Sequence, residues 1–228
     1  MRKLIHEAAS LFERRGWRGP LVFDVARVLG AARVITPAQA IHVWSLYPRR
    51  VKVPYRLETV AWCAAQNRLG QEWDFAPLYD FSLREILEIL DGVNGVPHIS
   101  FDSDRWWLAK EEHCWSDEPI AAEGCLVNLC GDNEGMSWFD QEHEMRARAC
   151  PRVVRAPSAV MAQVLLDIHF LHEKRLLFDW SHWGPEEDSR GRRVCVGPFE
   201  EQGIKIGSAD PSSKDPRRAV CYMIPPEF

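Results

Sequence analysis

The stretch CLVNLCGDNEGMSWFDQEHEMRARAC sets Cys125, Cys130, His143 and Cys150 at intervals that suggest a metal site. Zinc needs four soft donors meeting in a tetrahedron, and the twelve residues between Cys130 and His143 equal a common finger spacing. The gap of four before Cys130 is permitted, while the gap of six after His143 is longer than usual. Leu126, Val127 and Leu129 make the first pair of thiols read as the ends of a buried strand. Side chains five positions apart in a strand point to opposite faces, so Cys125 and Cys130 could meet only across a bulge at Asn128. Core strand is the simpler expectation. Structural zinc competes with it, and His113 and Cys114 are further candidate donors.

Two other clusters could do chemistry. His169 and His172 stand at i and i+3 in SAVMAQVLLDIHFLHEKR, a spacing that suits chelation or acid–base work. HFLHE lacks the His-Glu-x-x-His order of a zincin. In FDWSHWGP, His182 lies between Trp180 and Trp183, a grouping able to stack on a ligand if it is not core. Asp102 and Asp104 share a strand face but have no third carboxylate to complete a magnesium site. No phosphate-cradling glycine loop, nucleophile elbow or dinucleotide fingerprint is present.

A third constellation is electrostatic. Residues 1–70 carry a net +8, residues 71–150 a net −13, and the remainder is neutral, under a total of −5. Such asymmetry predicts that the head meets an anionic partner or that head and middle attract each other. Thr36 and Pro37 open a helix that would present Gln39, His42 and Ser45 outward, with Arg49, Arg50, Lys52 and Arg56 beyond it. In a helix-turn-helix or winged helix these residues would read base edges and phosphates. GAARVI is longer than the turn that motif favours.

The elements that must position these residues divide at about residue 95. Residues 1–95 read as a basic helical domain, with helices in 1–16, after Pro37, around 57–64 and after the Ser82–Glu85 capping box. LVFDVARVLG suits helix or strand, and QEWDFAPLYD reads as a linker or packed loop. Residues 96–228 read as an α+β domain. VPHISF, CLVNLC, RVVRAP and AVCYMI are its strand candidates, RRVCVGPF with GIKIGS is a hairpin, and one long helix runs near 158–175. The expected class is therefore α+β.

Seven scattered cysteines, an N-terminus unlike a signal peptide and no apolar run of membrane-spanning length predict a cytoplasmic protein. The leading expectation is a regulatory or interaction protein without an enzymatic role. Its basic head would bind nucleic acid or an acidic protein surface, and its α+β part would sense a ligand or form an interface. A zinc-dependent hydrolase is the first alternative. A protein-interaction module with no nucleic-acid role is the second.

Overall fold

The computed structural model describes residues 21–44, 53–92, 105–120, 123–147, 153–171, 181–200 and 203–227. The expected first helix and the VPHISF strand lie outside them. The helices are α1 Val22–Leu29, α2 Pro37–Trp44, α3 Leu57–Asn67, α4 Leu83–Gly92, the single turn α5 His113–Ser116, α6 Trp138–Ala147 and α7 Ser158–Leu171. The strands are β1 Trp73–Pro77, β2 Gly124–Asp132, β3 Val154–Arg155, β4 Ser181–Glu187, β5 Arg193–Glu200, β6 Gly203–Ala209 and β7 Arg218–Ile224. The chain is α+β, with helices on both faces of one mixed sheet.

Local chemistry explains where several helices start. Gln39 N–H donates to Thr36 Oγ1 at 3.3 Å, and Thr36 N–H donates back to Gln39 Oε1 at 2.8 Å. Ser82 and Glu85 repeat the exchange at 3.2 and 2.8 Å ahead of α4. Both are reciprocal capping boxes that satisfy donors a helix end leaves open. The ambiguous 21–29 segment is helical because Asp24 accepts from Leu21 N–H at 3.1 Å while Val25 and Leu29 bury one stripe. Helix α3 takes its cap from far away. Glu227 accepts from Arg56 N–H at 2.7 Å and from Thr59 Oγ1 at 2.5 Å.

The strand order is β1-β2-β7-β4-β5-β6, with β3 also paired to β7. All pairings are antiparallel except β4 with β7. Strand β7 is covered on both sides, which is why RAVCYMI reads as an almost unbroken apolar run. Its Cys221 and Met223 enter one core with Cys125 and Val127 of β2. Val220, Tyr222 and Ile224 enter the opposite core with Leu126. Segment 71–80 is no free linker: Trp73 and Phe75 of β1 fill the second core, and Ala76, Leu78 and Tyr79 the first. Each core thus draws residues from both sides of position 95.

Helix α7 is the centre of the first core. Every residue from Ser158 to Asp167 is buried, so the helix has no solvent stripe. Its two interior polar side chains, one turn apart, hold neighbouring segments. Gln163 accepts from Tyr79 N–H and donates to Tyr79 C=O, both at 3.0 Å. Asp167 Oδ1 accepts from Trp44 Nε1–H at 2.7 Å, fixing α2 onto α7.

Candidate functional site

The basic head divides between committed and undescribed residues. Gln39 is exposed, but its amide oxygen accepts from both Thr36 N–H and Thr36 Oγ1 at 2.8 Å. It is therefore held in the cap. The side chain of His42 and the whole of Ser45, Arg49, Arg50 and Lys52 lie outside the described residues. Arg56 is exposed at the start of α3. Helices α1 and α2 belong to cores on opposite faces of the sheet, so they are not the adjoining pair that a helix-turn-helix requires. One contact does join head to acidic middle. Arg33 lies 3.6 Å from both Glu72 and Asp74. Burial pushes the Asp74 carboxyl up to about 7, against the pull of Arg33 and with a further push from Glu72.

The candidate zinc ligands are not seen to converge. Cys125 is fully buried on the α7 side of the sheet, opposite Ala76 in the β1–β2 ladder. Burial, reinforced by nearby Asp167, pushes its thiol up, whereas zinc requires a thiolate. His143 is exposed on α6, whose Met145 packs into the core on the other face. The sheet therefore lies between Cys125 and His143. A register shift between Asn128 and Asp132 does occur where Cys130 sits, but the Cys130 side chain and Cys150 lie outside the described residues. Among the described residues, no group of three or more His, Cys, Asp or Glu side chains could hold a metal ion.

The aromatic cluster also separates by strand parity. His182 pairs with Val196 and points into the first core, while Trp183 pairs with Cys195 and faces the other side. Both are fully buried, and the Arg218 guanidinium carbon stands 5.1 Å from the Trp183 ring centroid. The His169 side chain, His172 and Trp180 lie outside the described residues.

A better-formed site lies at the N-terminus of α7. Glu186 of β4 places its carboxylate there: Ser158 N–H donates to Oε1 at 2.7 Å and Ser158 Oγ to Oε2 at 2.8 Å. Gly184 leaves room for this, because a Cβ at 184 would overlap Glu186 Oε2 and approach Ser158 Oγ to 2.9 Å. Desolvation raises the Glu186 carboxyl above its usual range; the two Ser158 bonds oppose the rise, and Glu118 adds to it. The carboxylate opens onto a cavity of about 610 Å³ walled by Trp115, Ile120, Pro157, Val160 and Met223. Glu118 and Glu187 complete the polar lining, and the exposed thiol of Cys114 sits beside them. Arg193 holds Glu187 at 3.2 Å, but among the described residues no Lys, Arg or His lines the cavity.

Sequence reasoning missed this site because its parts come from four separated segments. GPEED looks like a surface turn, and only its position inside a strand reveals that Glu186 turns inward. Compared with family models, curated proteins and solved structures, the chain matches none of them.

Proposed function

We propose that this chain is a ligand-binding regulatory protein whose cavity beside Glu186 takes a small organic cation with an apolar body. The observation that carries this reading is Glu186 itself. It is a desolvated carboxyl in an apolar-walled cavity, it feels a second carboxyl at Glu118, and among the described residues it has no cationic partner. A primary ammonium would relieve that repulsion and donate to the carboxylate lone pairs left over from Ser158. The Trp115 indole and the proline walls would cover an aromatic or aliphatic body, and an indole face also favours a cation.

Calorimetry with benzylamine and its neutral analogue benzyl alcohol tests the reading. The amine should bind and the alcohol should not, and Glu186→Gln should abolish the amine signal. Equal binding of the two, or silence from both, discards the proposal. Alkylation of Cys114 should block the cavity mouth and weaken the amine.

The head carries a separate proposal, that its basic residues meet an acidic surface of this chain or of a partner. The contacts of Arg33 with Glu72 and Asp74 support the intramolecular version. Duplex DNA added to the full chain at low salt tests the competing nucleic-acid version, since phosphate contacts would make any binding fall steeply with salt.

A further inference from the structure

The cavity beside Glu186 is lined by three carboxylates, and one of them is already committed, since Arg193 holds Glu187 at 3.2 Å. That leaves Glu186 and Glu118, which reach the cavity from different parts of the chain. Glu186 is half-buried and tied to the start of α7 by Ser158 N–H at 2.7 Å and Ser158 Oγ at 2.8 Å. Glu118 is exposed two residues beyond α5, on a turn closed by donation of its N–H to Trp115 C=O at 3.4 Å. The charge of Glu118 adds to the rise of the Glu186 carboxyl, so the two stand within electrostatic reach. Among the described residues, no cation lines the cavity to neutralise either one.

The rest of the lining is mostly carbon. Ile120, Val160 and Met223 give aliphatic surface. Trp115 adds its indole, whose single N–H is used up by donation to Glu112 Oε2 at 2.8 Å. The cavity thus has an inner carboxylate, an outer carboxylate and apolar walls. A neighbouring hollow shares Pro119 and Ile120 with it but supplies no third free acceptor. There Glu85 accepts from Ser82 N–H at 2.8 Å, Asp117 holds Arg84, and Asp80 is engaged as well.

From this arrangement we infer that the ligand is a linear diamine, a short methylene chain with one ammonium received by Glu186 and the other by Glu118. The inference rests on the amine reading above and narrows it. A single ammonium relieves the repulsion between the two carboxylates but leaves one negative charge unmatched. A second ammonium matches it, and the methylenes lie on the aliphatic walls. Were Glu118 not an acceptor, the second ammonium would lose hydration for no return, and a diamine would bind more weakly than a monoamine. The sign of that difference decides the matter.

The test is calorimetry of the full chain at low salt with putrescine and cadaverine, each against the monoamine of its length, butylamine and pentylamine. At least one diamine should bind about fivefold more tightly than its monoamine, the upper reach of an exposed ion pair. The advantage should shrink as salt screens Glu118. Glu118→Gln should remove it, while Glu118→Asp, which keeps the charge, should retain part of it. Because each variant is judged by the ratio of the two amines, a general effect on folding or on the cavity cancels. If the monoamines bind and neither diamine binds more tightly, or if the advantage survives Glu118→Gln, the inference is overturned while the amine reading stands. If no amine of either kind binds, the amine reading falls and takes this inference with it. A further gain of about fivefold from spermidine would overturn the limit to two charges.

Discussion

Trp44 Nε1 donates to Asp167 Oδ1 at 2.7 Å across 123 positions of chain, and Asp167 Oδ2 has no hydrogen-bond partner among the described residues. A carboxylate so enclosed is costly as an anion, and burial raises its pKa well above the usual carboxylate range. The folded state therefore holds a proton that the unfolded chain releases above pH ~4. Stability from this group is complete below that point and is lost as pH rises toward the folded pKa. Asp167→Asn keeps the acceptor for Trp44 without the charge, so it should be more stable than wild type at pH 8 and should flatten the dependence. Urea unfolding at pH 5 and pH 8 measures both.

Gln163 spans the Tyr79 peptide with one donor and one acceptor. Replacing it by Leu keeps the volume but leaves a buried N–H and C=O without partners. The expected loss is about 2–6 kcal/mol, at ~1–3 kcal/mol for each orphaned group. Gln163→Glu should be pH-sensitive instead, because only its protonated form can donate to Tyr79 C=O. Chemical denaturation of the two variants distinguishes these effects.

Arg33 restrains Asp74. Its removal as Arg33→Ala should move the Asp74 carboxyl, already raised to about 7, further upward. The sign follows from the same linkage: stability from Asp74 is full below its unfolded pKa of ~4 and is lost as pH climbs through about 7. Carbon-detected NMR titration of the carboxyl reads the shift directly. A downward shift would show that Arg33 exerts no pull on Asp74.

Gly184→Ala places a methyl where Glu186 Oε2 and Ser158 Oγ meet. Expulsion of Glu186 would remove the cap of α7 at a cost of about 1–2 kcal/mol. Amine binding at the neighbouring cavity should fall with it. Because Glu186 is raised by burial, wild-type amine affinity should increase with pH through its pKa as the proton leaves. Calorimetry at three pH values tests the slope.

Local signals in the sequence were legible where they are self-contained. Thr36 with Gln39 and Ser82 with Glu85 mark helix starts through contacts three residues long, and the apolar runs around Val127, Val194 and Cys221 mark strands. Strand β1 was hidden because Asp74 and Pro77 interrupt its alternation, although Trp73 and Phe75 carry its buried face. Glu112 stands in a charged Lys-Glu-Glu run, yet it is 4% exposed and ties Trp115 to Ser189, partners 3 and 77 positions away. Strand order and the cavity beside Glu186 depend on such distant pairings, which no local window records. The spacing of Cys125 and His143 is silent for the same reason: the two fall on opposite sides of the sheet.

The place of β7 at the middle of the sheet bears on how the chain is made. It pairs with β2, β3 and β4 but follows every one of them in sequence. During synthesis from the N-terminus, β1 with β2 and β4 with β5 and β6 can form early as separate antiparallel pieces. They cannot be joined until residues 218–224 leave the ribosome. Until then the apolar edge of β2 is open, with Tyr55 waiting to place its hydroxyl between Leu126 N–H and Ile224 C=O. Sheet closure thus waits for residues 218–224, and the nascent chain is most open to edge-to-edge association just before they emerge.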